Sequence, residues 1–383
     1  MSSTRSGSEI FLHSKFSQLN LPTPSGIRIA WNFGRILGAL LGLQIVTGLF
    51  LSIHYNPRIE GAFDSVLHIT RDVRGGWFMR SIHANGARFF FLFIYLHLGR
   101  GLYFQSYSTQ PKVWISGVAL YLLRIAIAFL GYVLPWGQMS LWGATVITNL
   151  VRAVPYVGPI LVEWVWGGFR VGQATLNRFF SLHFILPLVL SAMVLAHLWF
   201  LHEKGRRNPL GDLRHQSKVS FQPYFVWKDF VGFGIVAAPL VFFAFYSPWY
   251  LGDPDNFLRA NELVTPAHIK PEWYFLFAYA ILRVIPRKLG GVLALLFSIL
   301  VLLLFLFISR PLQATSFNMT YKFLFWGFVA NWCLLTWLGG CAIDPPFTDI
   351  APVSAFLYFL FVGALLILTY WGSLNYQACP WRG

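Results

Sequence analysis

GWFMRSIHANGARFFFLFIYLHLGRGLYF (76–104) and LNRFFSLHFILPLVLSAMVLAHLWFLH (176–202) decide how this chain is read. Each stretch is long and apolar enough to form a helix across a bilayer, whose core needs about 20 mostly apolar residues. Each also carries two histidines: His83 and His97 in the first, His183 and His197 in the second. Both intervals are fourteen residues. At about 100° per residue, fourteen steps return to within about 40° of the same face and rise about 21 Å. Each helix therefore presents two imidazoles on one face, one near each membrane surface. A lone histidine in an apolar helix is more often a satisfied core or pore residue. Two pairs with the same interval point to a ligand set, because ionisable groups in lipid mark function and neutral imidazole binds iron well.

The rest of the chain supports a membrane setting. Of 383 residues, 56% are hydrophobic and 11% charged, with mean hydropathy +0.59. Soluble domains carry about 25% charged residues, so this chain must meet lipid over most of its surface. Aromatics reach 18%, as interfacial belts require. No cleavable leader is evident at the polar, basic N-terminus. Cys333, Cys341 and Cys379 form no CxxC or CxxCH pattern, which excludes a covalent haem attachment of that type. The net charge of +15 is scattered between apolar runs. That suits loop charge or anionic lipid rather than nucleic acid.

Eight spans are expected: 31–54, 76–104, 113–134, 176–202, 226–249, 289–309, 320–340 and 350–372. Period-2 alternation is absent, so the expected fold is an all-α integral membrane protein, not a β-barrel. An even count puts both termini on one side. A weak excess of Lys and Arg, mostly Lys204, Arg206, Arg207, Arg214, Lys218 and Lys228, makes that the negative side. The long connections 135–175 and 250–288 are aromatic and part-apolar, which predicts surface helices in both. Helices 76–104 and 176–202 then run parallel, so His83 levels with His183 and His97 with His197, about 20 Å apart.

Glycines repeat the interval: Gly34 and Gly48 in the first span, Gly117 and Gly131 in the third. Small-residue helix packing alone accounts for glycines in membranes. The shared period favours clearance for a flat macrocycle at two depths. Arg80 and Arg100 each stand three residues from a histidine. Spacing leaves open whether they pair haem propionates or snorkel at the membrane edge.

At this point the motifs become recognisable. WNFG (31–34), SIHANG (81–86), LHLGRGLY (96–103), GYVLPWGQMSLWGATVITNL (131–150), ATLNRFFSLHFILP (174–187), DPDNF (253–257) and HIKPEWYFLFAYAILR (268–283) together resemble the mitochondrial cytochrome b family. Its members are core subunits of the cytochrome bc1 complex (complex III). The resemblance implies a haem-binding four-helix bundle in an N-terminal domain, 1–210, and a C-terminal domain, 211–383. It implies two non-covalent b-type haems, low-potential on His83/His183 and high-potential on His97/His197, with Trp31 among the cofactor-binding residues. It implies ubiquinol oxidation at a positive-side pocket of Phe129, Tyr132, Gly143, Pro271, Glu272, Phe275 and Tyr279. One electron leaves to a Rieske iron–sulfur protein and the other crosses the two haems. Quinone is then reduced at a negative-side pocket of His202, Lys228 and Asp229. Glu272 is suited to accept a quinol proton, His202 and Asp229 to deliver protons to reduced quinone. Cytochrome c1 is a further implied partner, and the implied setting is a dimeric complex in the mitochondrial inner membrane with matrix-side termini.

Other classes compete. A transporter could line a path with buried His and Arg, but no inverted repeat of broken helices is visible. A haem protein without quinol bifurcation would not need the aromatic loops and PEWY. The chain also departs from the family. Arg28, Arg35, Arg88, Arg152, Arg170 and Arg206 stand where animal members commonly have serine, and Arg207 where the family usually has Asn. Arg124 lies at mid-depth, seven residues from both Gly117 and Gly131, where a charge costs at least about 2.5 kcal/mol. One reading is a basic variant with shifted haem potentials. The other is that AGA/AGG codons, read as serine in many animal mitochondria, stand here as arginine. Peptide sequencing of the natural protein returns serine at 35, 88 and 206 on the second reading; arginine there defeats it.

Overall fold

The structure is a computed structural model that describes residues 22–204, 218–308 and 318–377. Arg206, Arg207 and Arg214 lie outside the described residues. The helices in chain order are α1 Phe33–His54, α2 Ala62–Arg71, α3 Gly76–Tyr103, α4 Pro111–Val133, α5 Gln138–Asn149, α6 Gly158–Trp166 and α7 Gln173–Lys204. They continue with α8 Tyr224–Tyr246, α9 Leu276–Val284, α10 Lys288–Leu300, α11 Met319–Gly340 and α12 Phe347–Gln377. A 3-10 segment, Val301–Phe307, prolongs α10.

Seven of these units are long and apolar enough to cross a membrane: Ile29–His54, Pro111–Val133, Gln173–Glu203, Tyr224–Tyr246, Lys288–Phe307, Met319–Gly340 and Phe347–Trp371. α3 has 28 residues and matches the remaining expected span in length. Arg80, Arg88 and Arg100 make it less apolar than the other seven. The long helices outrun their apolar cores where polar residues continue the turn, as at Gln173 before α7's apolar run. Local chemistry sets some ends. Pro111 opens α4, where its missing N–H costs nothing. The Asn318 side chain accepts from the Tyr321 amide at 2.9 Å to cap α11.

α1 packs on α3 and α4 on α7, and the two pairs meet to form a four-helix bundle. One buried cluster (Phe90, Phe91, Phe93, Ile127, Tyr121 among it) fills the bundle and reaches α8. A second joins α9 to α12 and the end of α3. Tyr321 donates to Leu102 O and Tyr358 to Ser298 O, both at 2.7 Å, so buried hydroxyls fasten these helices together.

The long connections fold as the sequence predicts, with α5 and α6 in one and α9 in the other. They are stitched to each other. Gln138 N–H donates to Leu258 O (2.9 Å), Ala260 N–H to Trp136 O (3.1 Å) and Asn261 N–H to Gln138 Oε1 (2.8 Å). Gly137 is required there, because a Cβ would collide with the Asn256 backbone. A small antiparallel pair, β1 Pro22–Pro24 with β2 Lys218–Ser220, was not expected. Strands of three residues leave no periodic signal.

Asn331 and Ser354 bond reciprocally between α11 and α12: Asn331 Nδ2 donates to Ser354 O (2.9 Å) and Ser354 Oγ to Asn331 Oδ1 (2.8 Å). Ser354→Ala should cost about 0.6–2 kcal/mol of stability in detergent, the range for such bonds between membrane helices. Unfolding followed by circular dichroism checks this.

Candidate functional site

The four histidines come together in two tiers. The His83 and His183 rings have centroids 6.3 Å apart and planes at 83°. His97 and His197 are likewise electrostatic neighbours. α3 and α7 are thus parallel, as loop counting requires. Among the described residues no three His, Cys, Asp or Glu side chains converge, so each tier offers two protein ligands. Metal–imidazole bonds run about 2.0–2.1 Å. Two of them, plus about 1 Å from each nitrogen to its ring centre, separate the centroids by about 6 Å. At 6.3 Å, the His83 and His183 rings are spaced so that they could both ligate one metal ion between them.

Each clearance glycine faces one imidazole. A Cβ at Gly34 would meet His97 Cε1 at 3.3 Å, one at Gly48 His83 Cε1 at 3.1 Å, and one at Gly117 His197 Cε1 at 3.4 Å; one at Gly131 would collide with His183. The shared interval of fourteen therefore marks a contact, not general helix packing.

The ring nitrogens are sorted by their partners. Thr47 Oγ1 donates to Leu43 O (2.7 Å), so it accepts from His83 Nδ1–H at 2.8 Å. Ser116 Oγ donates to Val113 O (3.0 Å) and accepts from His197 Nδ1–H at 2.8 Å. His183 Nδ1–H donates to Ile127 O at 2.9 Å. In all three, Nδ1 holds the hydrogen and Nε2 keeps its lone pair, which is how metal-ligating histidines are fixed. His97 differs: Arg100 Nη2 donates to its Nδ1 at 3.2 Å. Arg100 must turn away for His97 to match the others. Thr47 and Ser116 were not singled out from sequence. The available signal is that each immediately precedes a clearance glycine, Gly48 and Gly117.

A cavity of about 420 Å³ opens at the upper tier, within the ~300–1,000 Å³ range of ligand sites. Its wall includes His83, His183, Gly48, Gly131, Arg80 and Arg124. Arg80 is held by Thr70 Oγ1 at 2.9 Å and lies over the Trp249 ring at 4.6 Å. Arg100 lies over Trp31 at 5.5 Å. Neither arginine meets a carboxylate among the described residues.

Of the residues expected at the quinol pocket, Glu272 and Tyr132 also line this cavity. Phe129, Gly143, Pro271, Phe275 and Tyr279 do not. Phe129 packs on Phe179 (5.8 Å) and Phe275 on Tyr274 (4.6 Å). Space beside Gly143 is open. Tyr279 donates to Ile269 O at 2.9 Å, and burial raises its phenol above the ordinary value, so it keeps its proton. Glu272 is not free. Arg88 grips it bidentately, Nη2 to Oε1 at 2.8 Å and Nε to Oε2 at 3.1 Å, and both side chains are buried. Asn85 Oδ1 accepts from Arg88 Nη1 (3.1 Å) and fixes the clamp.

At the other end, Asp229 is buried and paired with Arg35. Lys228 Nζ donates to Ile27 O at 3.2 Å. His202 is exposed at the end of α7, and no contact among the described residues joins it to Asp229. Arg28 and Arg152 are exposed, and Arg170 forms an exposed pair with Glu262.

This is a helical membrane protein whose bundle presents paired imidazoles in two tiers. Two family models match it: "Cytochrome b/b6/petB" over residues 18–205 and "Cytochrome b(C-terminal)/b6/petD" over residues 259–359. It is 58% identical over 363 residues to the cytochrome b of Albinaria caerulea, covering 94% of this chain and 98% of that one. A solved structure described as hyperthermophilic respiratory Complex III has TM-score 0.89 at 32% identity, covering 96% of this chain and 98% of that chain. The chain belongs to the cytochrome b family.

Valine at Gly48 or Gly131 places a branched side chain against the upper imidazoles; at Gly34 or Gly117 it does so against the lower. Each substitution should displace the imidazole it faces and leave the other tier in place, so that part but not all of the b-type absorbance is lost from a reduced-minus-oxidised spectrum.

Proposed function

We propose that this chain is the transmembrane electron-transfer subunit of a quinol–cytochrome c oxidoreductase and holds two b-type haems, one between His83 and His183 and one between His97 and His197. The observation that carries this is the two-tier set of imidazoles, three of them with Nε2 free and Nδ1 satisfied, each against a glycine. Haem, when bound, supplies one-electron chemistry. The chain's own part is to fix the ligand nitrogens, exclude water and keep the two tiers about 20 Å apart along α3 and α7.

Quinol oxidation is assigned to the side of α9 and the PEWY segment, and quinone reduction to the side of Asp229 and Lys228. An iron–sulfur protein takes the first electron. Electrons pass from the His83/His183 tier to the His97/His197 tier. Both reactions move protons, and the carboxylates nearest each end, Glu272 and Asp229, are suited to carry them. In this conformation each is held by an arginine, so proton uptake at Glu272 requires it to leave Arg88. Division at 210/211 into a haem-binding unit and a quinol-loop unit is supported by the separate ranges of the two family models. The setting proposed is a dimeric complex with cytochrome c1 and the iron–sulfur protein in the mitochondrial inner membrane. Eight spans put both termini on one side, and the excess of Lys and Arg in the loops on that side supports the matrix. The likeness to a Complex III structure supports that assembly.

The purified protein should show two b-type signals titrating at separate potentials. His83→Asn should remove one and His197→Asn the other, each with loss of quinol turnover. Unchanged cofactor content and turnover in both variants would sink the proposal.

A further inference from the structure

Arg124 has no place in the functions assigned so far. It sits on α4, seven residues from both Gly117 and Gly131, and is 4% exposed. No ion pair reaches it among the described residues, and its Nε and Nη2 have no hydrogen-bond partner. Its guanidinium lies over the Phe90 ring at 4.4 Å and near Phe91 at 5.7 Å, and it lines the cavity of His83 and His183. Guanidinium stays protonated in proteins, so this is a permanent positive charge in a water-poor interior. A ring face attracts the cation without cancelling its charge. Arg88, the other buried arginine on this wall, is neutralised by Glu272. Arg80 also lines the cavity without a carboxylate, but it is only half-buried and is held by Thr70. Arg124 is therefore the fully buried cation there without a compensating charge, where the low dielectric lengthens its reach.

We propose that Arg124 sets the redox potential of the upper site, raising the midpoint of the group held by His83 and His183. The inference rests on the haem reading above. Reduction adds one electron, and hence one negative charge, beside a fixed positive charge. The cation stabilises the reduced state over the oxidised one. The guanidinium faces the cavity of the upper site, so the lower site, outside that cavity, shifts less. The energy step between the two sites is narrower in this chain than it would be without Arg124.

The test is a potentiometric titration of the whole complex, following both b-type signals, with the upper one identified by its loss in Gly131→Val. Arg124→Gln and Arg124→Met should move the upper midpoint to more negative potential and widen the separation of the two signals, while Arg124→Lys should hold it. Ala128→Asp, one helical turn along on the cavity wall, should give the same negative shift with the guanidinium still in place. It serves if the neutral variants lose the cofactor. Both signals present with an unchanged separation in Arg124→Gln, or in Ala128→Asp, overturns the role of Arg124. Absence of two b-type signals in the unaltered protein overturns the haem reading instead.

Discussion

Four imidazoles must be kept neutral and aimed in a medium that supplies no water to hydrogen-bond them. A bilayer leaves each ring nitrogen to find its partner in protein, and an unsatisfied polar group there costs several kcal/mol. The structure solves this one nitrogen at a time. A threonine, a serine and a helix carbonyl take the Nδ1 hydrogens of His83, His197 and His183. Each choice fixes a tautomer and leaves Nε2 facing inward. The glycines belong to the same constraint. A hydroxyl can reach Nδ1 only if the neighbouring backbone comes close, and a backbone comes close only where the side chain is absent.

That coupling orders the bundle. α1 brings Thr47 and Gly48 to His83; α4 brings Ser116 and Gly117 to His197. Where the residue before the glycine is apolar, as Leu130 before Gly131, the helix's own Ile127 carbonyl accepts instead. Where Phe33 precedes Gly34, no hydroxyl is available, and the nearby Arg100 fills the gap. α8 and the helices beyond α9 pack around this bundle, and the stitched connections hold the PEWY segment against its upper end. The cavity is thus walled by residues from both halves of the chain, including Glu272 and Tyr132.

Much of this was legible because periods survive folding. An interval of fourteen in histidines and glycines is a statement about faces and depths, and the structure places the residues on those faces. The apolar runs marked the long helices for the same reason. Individual hydrogen bonds were not legible. Nothing in sequence distance links Arg88 to Glu272 or Arg35 to Asp229, since the contacts join segments far apart in the chain. Residues expected at one quinol pocket also divided: Glu272 and Tyr132 face the imidazole cavity, while Phe129 and Tyr279 satisfy other partners. A motif assigns residues to a neighbourhood; side-chain direction within it depends on neighbours the motif does not contain.

The arginines that depart from the family sort by what membrane interiors permit. Arg28, Arg152 and Arg170 stay at exposed positions, where a charge costs little. Arg35 and Arg88 are drawn inward, and each closes on a carboxylate, Asp229 or Glu272, for which a proton-carrying role is proposed above. A buried pair is tolerable only when both partners are satisfied, and removing either strands the other. The same contact that makes Arg88 affordable therefore restrains Glu272. If position 88 is serine in the natural protein, that restraint disappears and Glu272 is released to face the cavity alone. The proton-accepting role proposed for Glu272 thus turns on position 88, because Arg88 holds the carboxylate that such a role needs free.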